Sequence, residues 1–282
     1  MNNLQNYVKQ GFSRLVFLKR LPLEMENYNK IKDILFQEFG FTINKTSDNG
    51  HYELNIFGPE NSPYQNGFFQ AEISITKYYP FSPLSVNFLT KIYHQNISIK
   101  DGSTYLEINS RWKPSYGLIY MAIRTYLLLN RDQYYSIGVY NEKAFYITRQ
   151  KDNYGVFLSK VNEYIDKYAK MNSKEEEQYF YLIENIKKER EKAKQYSLNN
   201  NNNYININYY LLNVNMKAKS IDVNVNMKIV DILEQIVGSE NKNLYFVLFL
   251  GQVIDTRRTV KEVCFYQNCH FFIIDEMTGF YW

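Results

Sequence analysis

Hydrophobic and polar residues alternate strictly in two stretches of the first third of the chain, His51–Phe57 and Phe68–Ile75. A two-residue period puts one face in a core and the other in water, so both are predicted to be antiparallel strands. The turn formers Gly58-Pro59 and Asn61-Ser62-Pro63-Tyr64 lie between them. Later the period lengthens. Phe157, Val161, Tyr164 and Tyr168 stand at i, i+4, i+7 and i+11, one face of a helix. Strands in the middle and helices late predict an α+β domain over residues 1–170, an antiparallel sheet flanked by helices with an N-terminal extension.

Residues 171–203 have a different character. Ser173-x-x-Glu176 has the form of a capping box at a helix start, and Tyr179, Leu182, Ile183 and Ile186 follow as a narrow apolar stripe. Lys187–Lys194 is charged apart from Ala193, and the Asn199–Asn203 run predicts a helix stop and a joint. Residues 204–282 then predict a second, smaller α+β domain. Tyr209–Val214 and Ser220–Val225 have strand character. Ile229, Ile232, Leu233 and Ile236 form one helical face, and Tyr245–Leu250 and His270–Ile274 are apolar runs of buried-strand length.

Composition narrows the function classes. A hydrophobic fraction of 45% suffices for packed cores. The net charge of +4 is diffuse, and the one dense Lys/Arg cluster is interleaved with Glu, which argues against nucleic-acid binding. No apolar run reaches the roughly 18–20 residues that span a bilayer. The two cysteines, Cys264 and Cys269, are too few for a disulfide framework and point to a reducing compartment. With His270 they lack a fourth metal ligand, so buried thiols are expected and no metal or cofactor is implied. The acid-poor start, with Lys9, Arg14, Lys19 and Arg20 before Glu24, fits either an N-terminal fold helix or organelle targeting. Cytoplasm and mitochondrion both remain open.

One set of motifs is specific. Gly58-Pro59, Pro63-Tyr64-Gln65-Asn66-Gly67-Phe68-Phe69, Tyr79-Pro80-Phe81-Ser82-Pro83, His94-Gln95-Asn96, Gly102–Ile108 and Trp112-Lys113-Pro114 occur in this order. The series resembles the ubiquitin-conjugating enzymes. That family carries His-Pro-Asn, then a Gly-containing loop and Ile-Cys-Leu-Asp-Ile, whose cysteine holds ubiquitin as a thioester. Tyr105 stands at the place of that cysteine, and no cysteine occurs in residues 1–263. A thiol titrates at about 8.5 and is a good nucleophile and leaving group, whereas a phenol titrates at about 10 and forms a far less exchangeable ester. The resemblance therefore implies the fold without its transfer chemistry. His94 and Asn96 become remnants that hold the loop. The positions matching the family's ligase-facing surface are Ile75 and the turn around Pro114. Phe81 and Pro83 are expected to be core or turn elements.

A second resemblance covers residues 204–282. Phe249-Leu250-Gly251-Gln252-Val253-Ile254 and Arg258-Thr259-Val260 resemble ubiquitin, a β-grasp fold. Part of ubiquitin's docking patch corresponds to Leu248 and Phe272, with Ile274 next to them. The two open possibilities are an exposed docking patch and burial of these side chains. The chain shows Phe280-Tyr281-Trp282 where a conjugated ubiquitin-like domain carries Gly-Gly, and this aromatic stretch is a candidate contact. Together these readings imply a non-catalytic structural or adaptor subunit. Its partners are other proteins, in a large complex or in the form of ubiquitin or a conjugating enzyme for which it acts as a cofactor.

Overall fold

The computed structural model describes residues 16–46, 50–104, 106, 112–130, 140–149, 153–199, 202–212 and 217–275. Its contacts divide the chain into two compact units, Met1–Tyr181 and Leu182–Trp282. The division falls inside one helix. Mixed helix and sheet in both units gives the α+β class that the sequence patterns predict.

In the first unit a short π-helical turn, Val16–Arg20, leads into helix α1 (Leu21–Phe39). Pro22 sits in the first turn of α1, where its missing N–H leaves no bond unmade and its fixed φ suits the helix. The helix stops at Gly40, whose φ of 63° lets its N–H return to the Phe36 carbonyl at 2.8 Å. Four antiparallel strands follow in sequential order, β1 (Phe41–Lys45), β2 (His51–Phe57), β3 (Phe68–Ser74) and β4 (Ser85–Phe88). The alternation places Tyr52, Leu54 and Ile56 opposite Ile73, Ala71 and Phe69, all buried on one face. The Tyr28 hydroxyl accepts the Ile43 N–H at 2.8 Å, which fixes α1 against β1.

Helix α2 (Leu118–Asn130) is buried from Leu118 to Leu129, so it is a central rather than a surface helix. Phe39 joins three elements, stacking on Phe41 at 5.9 Å and meeting Tyr126 edge-on at 5.4 Å. Helices α3 (Glu142–Arg149) and α4 (Tyr154–Tyr168) follow, and Phe157, Val161 and Ile165 are the buried face of α4.

Helix α5 (Ser173–Asn199) contributes to both units. Its cap differs from the expected one by a residue. The Asn172 side chain accepts the N–H groups of Lys174 and Glu175 at 3.0 Å, and the Glu175 carboxylate accepts the Asn172 N–H at 2.8 Å. Asn caps as well as Ser does, and here it lies one position earlier. Within the first unit Tyr179 packs on Phe57, ring centroids 5.7 Å apart. Within the second, Tyr266 donates to Glu189, Lys192 lies 4.7 Å from the Tyr266 ring, and the Ser197 hydroxyl donates to the Lys261 carbonyl at 3.2 Å.

The second unit is a five-stranded sheet, β5 (Tyr204–Leu211), β6 (Lys219–Asn224), β7 (Tyr245–Phe249), β8 (Gln252–Ile254) and β9 (His270–Asp275). Its spatial order is β6-β5-β9-β7-β8, with β5 and β9 parallel and the other pairs antiparallel. Strand β5 starts five residues before the predicted Tyr209, because Ile205 and Ile207 carry a buried alternation that begins straight after the Asn run. Helix α6 (Ile229–Val237) lays Ile229, Ile232 and Leu233 into a core with Val223, Val247, Phe249, Phe271 and Ile273. The one-turn helix α7 (Val260–Val263) opens on a capping box between Thr259 and Glu262.

A buried carboxylate organises the first unit. Glu24 on α1 is 3% exposed and receives the Arg20 guanidinium, the Tyr79 hydroxyl and, at 2.9 Å, the Leu118 N–H that begins α2. Burial drives its carboxyl upward, and these donors hold the charge against that trend. Gly117 leaves the space, since a Cβ there would lie 2.7 Å from the Glu24 Oε2. Glu24→Ala is expected to destabilise the chain by about 3–5 kcal/mol in urea unfolding, the range for breaking a buried charge pair. Gly117→Ala is expected to be costly in the native background and markedly cheaper in Glu24→Ala, a non-additivity that a double-mutant cycle would read.

Candidate functional site

The segment leading to Tyr105 is built by strong local constraints. Tyr64 donates its hydroxyl to the Tyr93 carbonyl at 2.9 Å. The His94 ring then accepts the Asn96 N–H on Nδ1 at 2.9 Å, while its other nitrogen is held at the Leu128 backbone. With one nitrogen accepting and the other donating, the imidazole is neutral, and its complete burial pushes its pKa down to about 4. His94 is a brace for the loop. Asn96 beside it is fully buried.

Gln95 replaces the family's proline and makes side-chain use of the change. Its carbonyl accepts the N–H groups of Tyr140 and Asn141 at 2.9 and 3.0 Å. Its side-chain amide lies 3.2 Å from the Thr148 hydroxyl of α3, which also reaches the Phe145 carbonyl at 3.0 Å. The polar loop that follows is closed by bridges between Ile97 and Thr104 and between Asn87 and Ser103. Gly102 has a φ of 72°, and a Cβ there would lie 1.9 Å from the Phe88 carbonyl oxygen, so only glycine fits. The Ser98 and Ser103 hydroxyls and the Ser103 N–H hold the exposed Asp101 carboxyl down at about 2. Tyr105 itself lies outside the described residues, as do Phe280 and Trp282.

The remaining candidate residues divide by burial. Ile75 was expected at the surface and is not there. It is 8% exposed and fills the space over Gly50, where a Cβ would lie 2.5 Å from its Cδ1. Pro114 is exposed, together with Lys113 and Ser115. Phe81, expected to be a core or turn element, is a turn residue and is 81% exposed, and Tyr78 is 65% exposed. The two loops are joined, because Trp112 donates its indole N–H to the Pro80 carbonyl at 2.6 Å and stands edge-on to Tyr116. Tyr116 stacks on Tyr120 of α2 at 4.0 Å. The result is two tied loops presenting Tyr78, Phe81 and Pro114 to solvent. The exposure of Tyr78 and Phe81 was absent from the sequence signal, since a Tyr-Pro-Phe loop carries no periodicity that tells in from out.

The open-patch possibility for the second unit fails. Leu248, Phe272 and Ile274 are each fully buried, and Phe272 stacks on Tyr210 at 5.0 Å. Their neighbours Val247, Phe249, Phe271 and Ile273 are buried in the α6 core, so both faces of β7 and β9 are covered. The near-continuous apolar runs in these strands are the sequence form of two-sided burial. Cys264 and Cys269 are free thiols, the second buried. Among the described residues no group of three or more His, Cys, Asp or Glu side chains is placed to hold a metal ion. Nor is any described helix long and apolar enough to cross a membrane.

Known proteins are similar to part of the first unit. Residues 23–164 match the family described as ubiquitin-conjugating enzyme. A relative from Saccharomyces cerevisiae, ubiquitin-conjugating enzyme E2-24 kDa, is 35% identical over 119 residues, covering 42% of this chain and 53% of its own. Ubiquitin-conjugating enzyme E2-23 kDa from Triticum aestivum is 33% identical over 134 residues, covering 46% of this chain and 70% of its own. Among solved structures, the E2 domain of a Toxoplasma gondii ubiquitin conjugating enzyme aligns with 52% of this chain and 97% of its own, at 22% identity and a TM-score of 0.43. The chain thus spans about half of the yeast relative.

His94 gives the site a pH signature. An unfolded imidazole titrates near 6.5, the folded one at about 4. Between these values the unfolded chain binds the extra proton, so stability is complete above about pH 6.5 and falls on acidification toward pH 4, by roughly 3 kcal/mol in total. Urea midpoints between pH 7 and 4.5 should fall more steeply for the wild type than for His94→Gln. Equal slopes would show that His94 does not titrate in this window.

Proposed function

The chain belongs to the ubiquitin-conjugating enzyme family, and from that premise we propose that it is a non-catalytic member, a structural or adaptor subunit of a larger protein assembly. The observation that carries this reading is Tyr105 at the place of the thioester cysteine, with no cysteine in residues 1–263 to replace it. A phenol titrates at about 10, so near neutral pH it is almost wholly protonated and a far poorer nucleophile for ubiquitin transfer than a thiolate. The surrounding loop supports the same reading. His94 is a neutral brace, and Gln95 spends its side chain on Thr148 rather than on an open site.

The second unit we read as ubiquitin-like. Its support is the sheet order, the parallel β5–β9 pair, the helix between β6 and β7, and the residues around Gly251 and Thr259. In this reading the domain does not offer ubiquitin's docking patch, since Leu248, Phe272 and Ile274 are buried. Protein contacts fall instead to the first unit, on Tyr78, Phe81 and Pro114. Large exposed aromatics beside a proline are interface material rather than solvated surface. The two free thiols suit a reducing compartment.

The test is purification of the native assembly with wild-type and Phe81→Ala chains. Phe81 is 81% exposed, so truncation should change stability by no more than about 0.5 kcal/mol. The wild type is expected to co-purify with stoichiometric partners that Phe81→Ala loses. A partner set made of ubiquitin-charging enzymes would favour the cofactor role instead. Retention of every partner by Phe81→Ala would remove this loop from the interface.

A further inference from the structure

The chain contains two Ser-Pro dipeptides, Ser62-Pro63 and Ser82-Pro83. They have the same local sequence and opposite surroundings. Ser62 is 6% exposed, and its hydroxyl donates to the Pro59 carbonyl at 2.7 Å inside the turn before β3. Ser82 is partly exposed and follows Phe81, the most exposed aromatic of the Tyr-Pro-Phe loop.

Hydrogen-bond accounting fixes what the Ser82 hydroxyl does. The Thr76 hydroxyl lies 2.8 Å from the Pro83 carbonyl and 2.6 Å from the Ser82 hydroxyl. A carbonyl can only accept, so the single Thr76 proton goes to Pro83. Ser82 must then donate to Thr76. This clasp closes the loop whose backbone turns at Tyr78, where the N–H groups of Phe81 and Ser82 both meet the Tyr78 carbonyl. Lys77 is exposed beside it, its ammonium 5.4 Å from the Tyr78 ring centroid.

We propose that Ser82 is a phosphorylation site for a proline-directed protein kinase and that its modification opens the clasp under the Tyr78–Phe81 surface. Such kinases select proline after the acceptor because it brings no backbone N–H into the slot. The Ser82 oxygen attacks the γ-phosphorus of ATP and forms the new P–O bond. The bond to the β,γ-bridging oxygen breaks, ADP leaves, and the hydroxyl proton passes to the kinase's catalytic carboxylate. The phosphate bears about −1.5 to −2 charge and no longer donates to Thr76, so an acceptor faces an acceptor where the clasp was. Lys77, exposed five residues before Ser82 in the same turn, is the cation that pairs with the phosphate in this proposal and is drawn away from Tyr78. That the Tyr78–Phe81 surface docks a partner rests on the function proposed above, whereas the modification and the opening of the clasp do not.

The experiment treats the 282-residue chain, carrying Trp282→Phe, with a proline-directed serine/threonine kinase and Mg-ATP. Peptide mass spectrometry locates the phosphate. Emission reports on Trp112, the remaining tryptophan, whose indole N–H is bonded to Pro80 in the same loop. One phosphate on Ser82 is expected, at least about tenfold above Ser62, since Ser62 is reached only by local unfolding. A change in Trp112 emission is expected with it, and both should vanish in Ser82→Ala. Absence of phosphate on Ser82, equal labelling of Ser62, or phosphorylation with unchanged emission would each overturn the proposal. None of these outcomes depends on whether the chain is an adaptor.

Discussion

One buried carboxylate decides how the first unit is assembled. Glu24 joins the start of α1 to the Tyr79 loop and to the first N–H of α2, segments 55 and 94 residues away in sequence. A carboxylate taken out of water is costly unless donors replace the water, and three donors converge on it here. The arrangement accounts for residues that otherwise look arbitrary. Arg20 lies one turn before Glu24, Gly117 leaves room for its oxygens, and Tyr79 turns inward while Tyr78 and Phe81 turn outward. Burial beside Glu24 pushes the Tyr79 phenol far above its ordinary value, so it stays a donor throughout the physiological range. The same Arg20 side chain also reaches the Tyr116 carbonyl, and Trp112 bonds Pro80. The exposed surface of the two loops is therefore set from beneath by a charge network.

Periodicity made the strands and helix faces legible. His51–Phe57 is a strand with the predicted limits, and Phe157, Val161, Ile229, Ile232 and Leu233 point into cores as their spacing requires, whereas Tyr168 of the same predicted face is 38% exposed and Ile165 is buried there instead. What stayed hidden was long-range. Nothing local marks Glu24 as buried, because its partners are brought by other elements. Alternation tells which side chains share a face and is silent on whether a second layer covers it. For that reason the burial of Leu248, Phe272 and Ile274 could not be read, although the unbroken apolar runs were consistent with it. Loop residues give even less. Phe81 and Tyr79 sit two positions apart in one aromatic motif, and one is 81% exposed while the other is 3% exposed.

The candidate site was legible by residue identity rather than by pattern. The His94-Gln95-Asn96 and Gly102 positions fall where the motif order puts them, and the structure adds their physical roles. A neutral buried imidazole, a glutamine tied to α3 and a glycine pressed against the Phe88 carbonyl make a rigid loop. Rigid support is as useful to a binding scaffold as to an enzyme, so these interactions account for retention of the loop without a thiol. The proposed adaptor role places recognition on the tied loops and leaves the second unit's sheet as core.

The central claim, a conjugating fold without conjugating chemistry, is tested most directly by incubating the purified chain with ubiquitin, an activating enzyme and Mg-ATP. Non-reducing gels and mass spectrometry would detect any ubiquitin adduct, with a cysteine-bearing family member as the positive control. The account predicts that the control is charged and this chain is not. A ubiquitin adduct on Tyr105 that passes onward to an acceptor lysine would contradict it.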